Sequence, residues 1–422
     1  MKTKFLAAVI AACFAAPAMA QSSVTMYGIA DAGLMKASGQ TVRLVSGIAD
    51  GSRLGFKGSE DLGGGMKAIF NLEARVELDN GTQKPTLLSD EQGLYLTRGM
   101  GAFGAFLPAL QGAFQVKGAP AVNPDGALFD RTSMVGLITP VGAVLMGRMY
   151  TPGYEVFAAS DVFESGTAGT WGGITGGTAG FTALGADIRS SKSIQYRFAT
   201  PTGFGGSLMY GAKGSGYLNR YNKFYGASLT YKANGWDVGI GHNRGYDQGD
   251  RVSLVTTTIG GSYAMGDVKL FAGYHQQRND NSVLLADYTA GYAAFNQVVV
   301  AKAGAPTAAA LQSVFFANIG PNTKEDARSY QIGAHYRMGP GRFMVSIAQQ
   351  DDRTASDSDA RLVAFGYDYN LSKRTDIYTV AAQIHNTNDG QYIPGAAGSP
   401  GGFTKTPGER TRAFQVGLRH RF

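Results

Sequence analysis

Apolar and polar residues alternate with a period of two along most of this chain, which restricts it to β-structure with one oily face. Across Lys67 to Leu78, the residues Ala68, Phe70, Leu72, Ala74, Val76 and Leu78 fall on one side, with Lys67, Asn71, Glu73, Arg75 and Glu77 on the other. The C-terminus repeats the pattern, Phe414, Val416, Leu418 and Phe422 standing opposite Gln415, Arg419 and Arg421. In a soluble sandwich the oily face would meet a second sheet. In a transmembrane barrel it meets lipid, and the charged face meets water inside.

The connections decide between the two. Seven are short and turn-like, around Asp61–Gly65, Pro140–Gly142, Pro201–Gly205, Lys232–Gly235, Met265–Asp267, Met338–Gly341 and Asn370–Arg374. Their glycine, proline and asparagine supply the backbone angles of tight turns. Between them lie eight longer polar stretches, near 33–52, 79–130, 151–192, 213–223, 244–254, 278–327, 352–360 and 386–412. Short and long alternate, so the expected fold class is all-β: a transmembrane antiparallel barrel of sixteen strands with short periplasmic turns and long external loops. A sandwich has no reason to sort its loops this way. Tyr27, Tyr150, Tyr196, Tyr231, Trp236, Tyr263, Tyr274, Tyr336, Tyr367 and Tyr378 near strand ends suit an interfacial girdle.

The first twenty residues read as a cleaved signal peptide: Lys2 and Lys4, an apolar run from Phe5 to Met19, and Ala18-Met19-Ala20 before Gln21. That run falls short of the roughly 20 residues a spanning helix needs. The expected division is thus 1–20 for export and 21–422 for the barrel. The only cysteine, Cys13, lies in the export segment, which excludes disulfides and thiol chemistry from the remainder. Without Lys2 and Lys4, Lys+Arg falls from 38 to 36 against 31 acids. This mild excess is scattered, which excludes a nucleic-acid stripe.

Several segments resemble the general porins of β-proteobacteria: Ser23-Val24-Thr25-Met26-Tyr27-Gly28 with Asp31; Ser52–Gly65; Arg131 with Val135-Gly136-Leu137; Gly147-Arg148; Gly366-Tyr367 with Leu371–Thr375; and Val416–His420 with terminal Phe422. The resemblance implies a homotrimer in the outer membrane, in contact with its lipid and lipopolysaccharide. It implies one channel per subunit for ions and small hydrophilic solutes, and a terminal aromatic, Phe422, read by the barrel-assembly machinery. Two stretches depart from the family. The second external loop, near 79–130, is long and carries the apolar run Met100 to Leu110; the sixth, near 278–327, is rich in alanine and valine. The first would latch a neighbouring subunit, either would cover the pore mouth, or each forms a surface excursion with its own small packing, the use the sequence favours.

A passive channel needs no reactive group; charges at its narrowest point set selectivity. In the family the third loop makes that constriction, here near 151–192, with its acids facing arginines on the opposite wall. Parity puts Arg53, Glu73, Arg75 and Arg148 on the watery face, and Arg131 and Arg189 match basic family positions. The expected basic side of the constriction is led by Arg53, Arg131 and Arg189 and joined by Arg75 and Arg148. The expected acidic side is Glu155, Asp161 and Glu164, with Glu73 beside the arginines. The alternative is that some arginines only line the lumen, paired with Glu73 or Glu77. The basic excess points to weak anion preference.

No catalytic residues, cofactor or metal site are expected. His242, His275, His335, His385 and His420 lack metal-ligand spacing and read as solvated or interfacial, and Gly172–Gly180 lacks the lysine and helix of a phosphate loop. Passive conduction is therefore the expected function. A substrate-specific channel, a non-conducting structural or adhesive barrel and a barrel enzyme remain as rivals in that order.

Overall fold

The structure is a computed structural model that describes residues 23–83, 96–113, 126–175, 188–216, 219–283, 285–396, 401 and 403–422. The expected export segment, with Cys13, lies outside the described residues, as do parts of the second outer loop and the tail of the third.

Seventeen strand segments form one antiparallel sheet: β1 (Ser23–Ala37), β2 (Arg43–Ser46), β3 (Arg53–Gly63), β4 (Met66–Arg75), β5 (Thr132–Thr139), β6 (Gly142–Tyr150), β7 (Arg189–Ala199), β8 (Phe204–Gly211), β9 (Lys223–Ala233), β10 (Trp236–Tyr246), β11 (Val252–Met265), β12 (Val268–Asn279), β13 (Glu325–Met338), β14 (Gly341–Asp352), β15 (Ala360–Asn370), β16 (Thr375–Asn386) and β17 (Arg410–Arg421). Apart from β2 and β3, which both pair with β1, each strand pairs with its neighbour in sequence, and β1 pairs with β17, so the sheet closes. β2 and β3 occupy one wall position. The upper part of β1 pairs with β2 and its lower part with β3, and 47–52 bulge inward between them. The barrel therefore has sixteen wall positions, as the connection rhythm implies. Closure leaves no backbone edge unpaired in lipid.

The seven expected short turns all sit at strand junctions. The outer connections differ from expectation in two respects. The first, expected near 33–52, holds the end of β1 and all of β2. β10 and β11 run farther than their polar sequences suggest, so the fifth outer connection shrinks to 247–251. Arg251 Nε and Nη2 donate to Asp247 Oδ2 at 2.9 and 2.7 Å and hold that tight turn.

Alternation sorts the side chains. On β17, Phe414, Val416 and Leu418 are 55, 44 and 47% exposed on the outside, whereas Gln415 is fully buried inside. Val416→Arg, in the middle of that outer row, is expected to cost about 2–4 kcal/mol at bilayer depth. A lowered urea midpoint of the vesicle-embedded barrel checks it. The girdle expectation needs correction at three residues. Tyr27, Tyr150 and Tyr378 point inward, where their hydroxyls meet Asn71 and Glu73, Arg131 and Arg189, and Asp31. Inside a watery lumen a tyrosine beside charge finds better hydrogen bonds than a headgroup layer offers.

The inner space is filled by the third loop. It opens with helix α2 (Pro152–Ser160), named after α1 (Leu107–Ala113) of the second outer loop. Thr151 caps α2, its hydroxyl accepting from Tyr154 N at 3.3 Å, and Pro152 stands at the first turn. The buried face of α2 lies along β9 to β12, and the chain beyond it continues past β13 to β15. Successive wall strands offer glycines to the loop. A Cβ at Gly241, Gly260, Gly273, Gly333 or Gly366 would come within 2.9 Å of Gly153, Ser160, Trp171, Val162 or Phe163 respectively. The loop thus lies in a trough cut out of the wall.

Two further helices, α3 (Leu285–Ala303) and α4 (Ala305–Asn322), fill the sixth outer loop. No described helix is long and apolar enough to cross a membrane.

Candidate functional site

Four lumen-facing elements bring guanidiniums together. Arg53 begins β3, Arg131 precedes β5, Arg148 is near the end of β6 and Arg189 begins β7. At their centre stands Glu73 of β4. Arg131 Nε donates to Glu73 Oε1 at 2.5 Å, and Arg53 Nη1 lies 3.8 Å from Glu73 Oε2. Arg53 also pairs with Asp50, and its Nε donates to the Gly51 carbonyl at 2.8 Å, both on the inward bulge between β2 and β3. The second hub is Tyr150, whose hydroxyl accepts from Arg131 Nη2 at 3.2 Å and Arg189 Nη2 at 2.7 Å. The Arg189 guanidinium also sits 4.3 Å from the Tyr150 ring centre.

Arg148 stands beside the cluster. Its Nε donates to the Asp130 carbonyl at 2.8 Å and its Nη1 to Ser191 Oγ at 3.0 Å. Arg75 pairs with Glu77 and is nearly fully buried. The structure thus brings Arg53, Arg131 and Arg189 around Glu73 and Tyr150, while Arg75 has the separate pairing with Glu77 weighed from the sequence.

The acidic residues of the third loop correct the expectation that they face the arginines. Glu155 pairs with Arg197 of β7, and burial pushes its carboxyl up against the pull of that guanidinium. Asp161 is 1% exposed and folded into the loop. Its Oδ1 accepts from Phe163 N at 3.1 Å and Gln331 Nε2 at 3.3 Å, and its Oδ2 accepts from Ser165 N at 2.9 Å and from the Thr170 hydroxyl. Burial pushes this carboxyl up to about 6 against those four donors. Glu164 reaches the opposite part of the wall, accepting from Arg342 Nη1 at 2.5 Å. Desolvation raises its carboxyl, but Arg342 outweighs that and holds it at about 2.

Glu164 belongs to a second charge chain that sequence reasoning missed. Arg342 Nη2 donates to Asp368 Oδ2 at 2.8 Å, and Arg419 Nη2 lies 3.0 Å from Asp376 Oδ2. Glu164, Arg342, Asp368 and Arg419, with Arg337 and Arg421, line a cavity of about 250 Å³ at the short-turn end. Lumen parity of Arg342 and Arg419 was a usable signal.

Two histidines depart from the solvated or interfacial expectation. His335 Nε2 lies 2.6 Å from the Val162 carbonyl, and buried His275 meets the edges of Phe157 and Trp171. The third loop is further tied by Thr167 N to Ile48 O at 2.7 Å and Ala168 N to Gln415 Oε1 at 2.8 Å. It therefore follows the wall from β9 round to β17 and the β2–β3 bulge. The arginines stand on the remaining sector of the wall, from β3 to β7. A stack of rings, Tyr150, Tyr154, Phe157 and Trp171, runs from that sector into the loop with interplanar angles of 16, 16 and 10°. Among the described residues no group of acids and histidines is placed to hold a metal.

Comparisons with known proteins agree with this architecture. The sequence profile of a family described as Gram-negative porin matches residues 6–389. Outer membrane porin protein 32 of Delftia acidovorans is 28% identical over the full length of both chains, and an outer membrane porin protein of Bordetella pertussis is 25% identical over the same full extent. Among solved structures, the anion-selective porin from Comamonas acidovorans superposes with a TM-score of 0.66 at 24% identity, covering 95% of this chain and all of that one. The trimer form of OmpT from Vibrio cholerae gives 0.58 at 13% identity, covering 95% and 99%. Closed barrel, lumen-facing charge and full-length kinship converge: the chain belongs to the Gram-negative porin family of the outer membrane.

Proposed function

We propose that this porin is a homotrimer of passive channels with weak anion preference, constricted between the third loop and the arginine wall. The gathering of Arg53, Arg131 and Arg189 around Glu73 and Tyr150 on one sector of the lumen wall carries the reading. Guanidiniums keep their charge in proteins, so the field they make is permanent. In this assignment Arg148 and Arg75 extend the basic wall along the lumen. Glu73 bridges Arg53 and Arg131 and offsets their mutual repulsion, and Glu155, Asp161 and Glu164 position the loop instead of facing the arginines. The Comamonas porin's description as anion-selective and the trimer form of OmpT support the selectivity and the assembly.

Transport needs no enzyme chemistry, no cofactor and no nucleic acid. The outer apolar rows suit contact with lipid and lipopolysaccharide, and Phe422 suits recognition by assembly machinery after export through residues 1–20. Purified protein in a planar bilayer under a salt gradient tests the reading. Current steps grouped in threes, with a reversal potential of anionic sign, are expected; a folded barrel without current sinks it. A substrate-specific channel would instead show saturable block of that current by one solute.

A further inference from the structure

The second and sixth outer loops leave the barrel on opposite sides. Counting β2 and β3 as one, β4 and β5 hold the third and fourth of sixteen wall positions, and β12 and β13 hold the eleventh and twelfth. The offset of eight is half the perimeter. Yet the two loops share one apolar core. Leu96, Met100, Phe103 and Leu110 of the second are buried against Tyr292, Phe295, Val299, Leu311, Phe315 and Ile319 of the sixth. Phe103 meets the Tyr292 and Phe295 rings at 6.3 and 6.1 Å.

Polar ties extend the same contact. Asn322 Nδ2 donates to the carbonyls of Leu96 and Arg98, each at 2.9 Å. Arg98 Nη1 donates to Ser358 Oγ of the seventh outer loop at 3.2 Å. Its Nη2 donates to the Asp389 carbonyl and to Gln391 Oε1 of the eighth. Below this contact the eighth loop is folded into the lumen: Gln415 Nε2, on the inner face of β17, donates to the Gly395 carbonyl at 2.8 Å, and Thr411 Oγ1 to that of Tyr392 at 2.9 Å.

We infer that the second outer loop is a strap across the extracellular mouth, latched on the far rim by Arg98 and by the aromatic core it shares with the sixth loop. It roofs the half of the lumen next to β12–β17 and directs solutes to the arginine-bearing half. It is thus a size filter ahead of the constriction. A loop that merely decorated its own rim would have no core in common with the loop opposite.

This inference rests on the barrel being a conducting channel, and its test separates the two. Three proteins are compared with the wild type: Arg98→Ala, a chain with residues 96–113 replaced by a glycine–serine segment of equal length, and the pair Gly99→Cys with Asn318→Cys. A Cβ at Gly99 would lie 2.9 Å from Asn318 Cγ. Asn318 Cβ is one C–C bond from that atom, so the two Cβ atoms are no farther apart than the roughly 4.5 Å upper limit of a disulfide. Gly99 has φ +74°, so the reduced pair is the reference for the oxidised one. With Cys13 confined to the expected export segment, no other thiol interferes.

Vesicle uptake of neutral polyethylene glycols of graded mass is read beside single-channel current. Uptake of the larger polymers is expected to rise several-fold when the strap is replaced and less with Arg98→Ala, and to fall on oxidising the cysteine pair. Current from all proteins with one unchanged size cut-off overturns the strap and leaves the channel standing. Absence of current from every one of these folded barrels overturns both.

Discussion

Replacing Arg131 and Arg189 together by glutamine is expected to reverse the sign of the zero-current potential under a potassium chloride gradient, making the pore prefer cations. Two guanidiniums leave the Tyr150 hydroxyl, and Glu73 keeps Arg53 at 3.8 Å and the Tyr27 hydroxyl at 3.1 Å. A unit charge about 4 Å from a permeating ion is worth about 1 kcal/mol in water and more where walls exclude it. Losing two shifts the balance by about 2 kcal/mol, or roughly 30-fold in relative permeability. The shift should shrink between 0.1 and 1 M salt, as the screening length falls from about 10 to about 3 Å. An unchanged anionic potential in the double variant would place the selecting charges elsewhere, the Arg342–Arg419 chain being the next candidate.

Asp161→Ala should loosen the third loop without touching that field. Its carboxylate gathers two backbone amides, the Thr170 hydroxyl and the Gln331 amide, all in a buried fold of the loop. A buried donor left without an acceptor costs about 1–3 kcal/mol, so stranding the two amides alone removes about 2–6 kcal/mol of docking. The natural reporter is Trp171, fully buried against Phe157 with ring centres 4.6 Å apart. The other tryptophan, Trp236, is 47% exposed on the outer face. In a Trp236→Phe background, emission of the Asp161→Ala protein should move to the red while open-channel noise increases. Blue emission and a quiet current would mean the glycine trough holds the loop unaided.

The barrel was legible because its determinants are local. Alternation follows from strand geometry, and the turns at Asp61–Gly65 or Met338–Gly341 advertise themselves by composition. Arg53, Glu73 and Arg148 could be assigned to the lumen by parity alone. The partners of the loop acids could not, because a loop has no parity. Whether Asp161 meets an arginine or its own backbone depends on a path of many residues across the lumen. The glycines of that path were visible as composition, but their meaning lies in their alignment on neighbouring strands. The sixth loop's alanine and valine content likewise hid two helices, whose burial depends on Phe103 from the opposite side of the barrel.

The seam between β1 and β17 has a consequence for the order in which the protein folds. Ile29 is registered with Arg421, and Phe422 exchanges backbone hydrogen bonds with Gly28 at 3.0 and 3.1 Å. The Phe422 ring covers Gly28 so closely that a Cβ there would lie 2.3 Å from Cζ. Hairpins between sequential strands close short loops, whereas this pairing joins residues separated by nearly the entire chain, at the largest entropic cost in the sheet. It is therefore the last ladder to form. Until this ladder forms, the sheet carries two raw edges open to any neighbouring strand. Pairing of β1 with β17 is then the event that closes each barrel on itself instead of leaving its edges to aggregate with another chain.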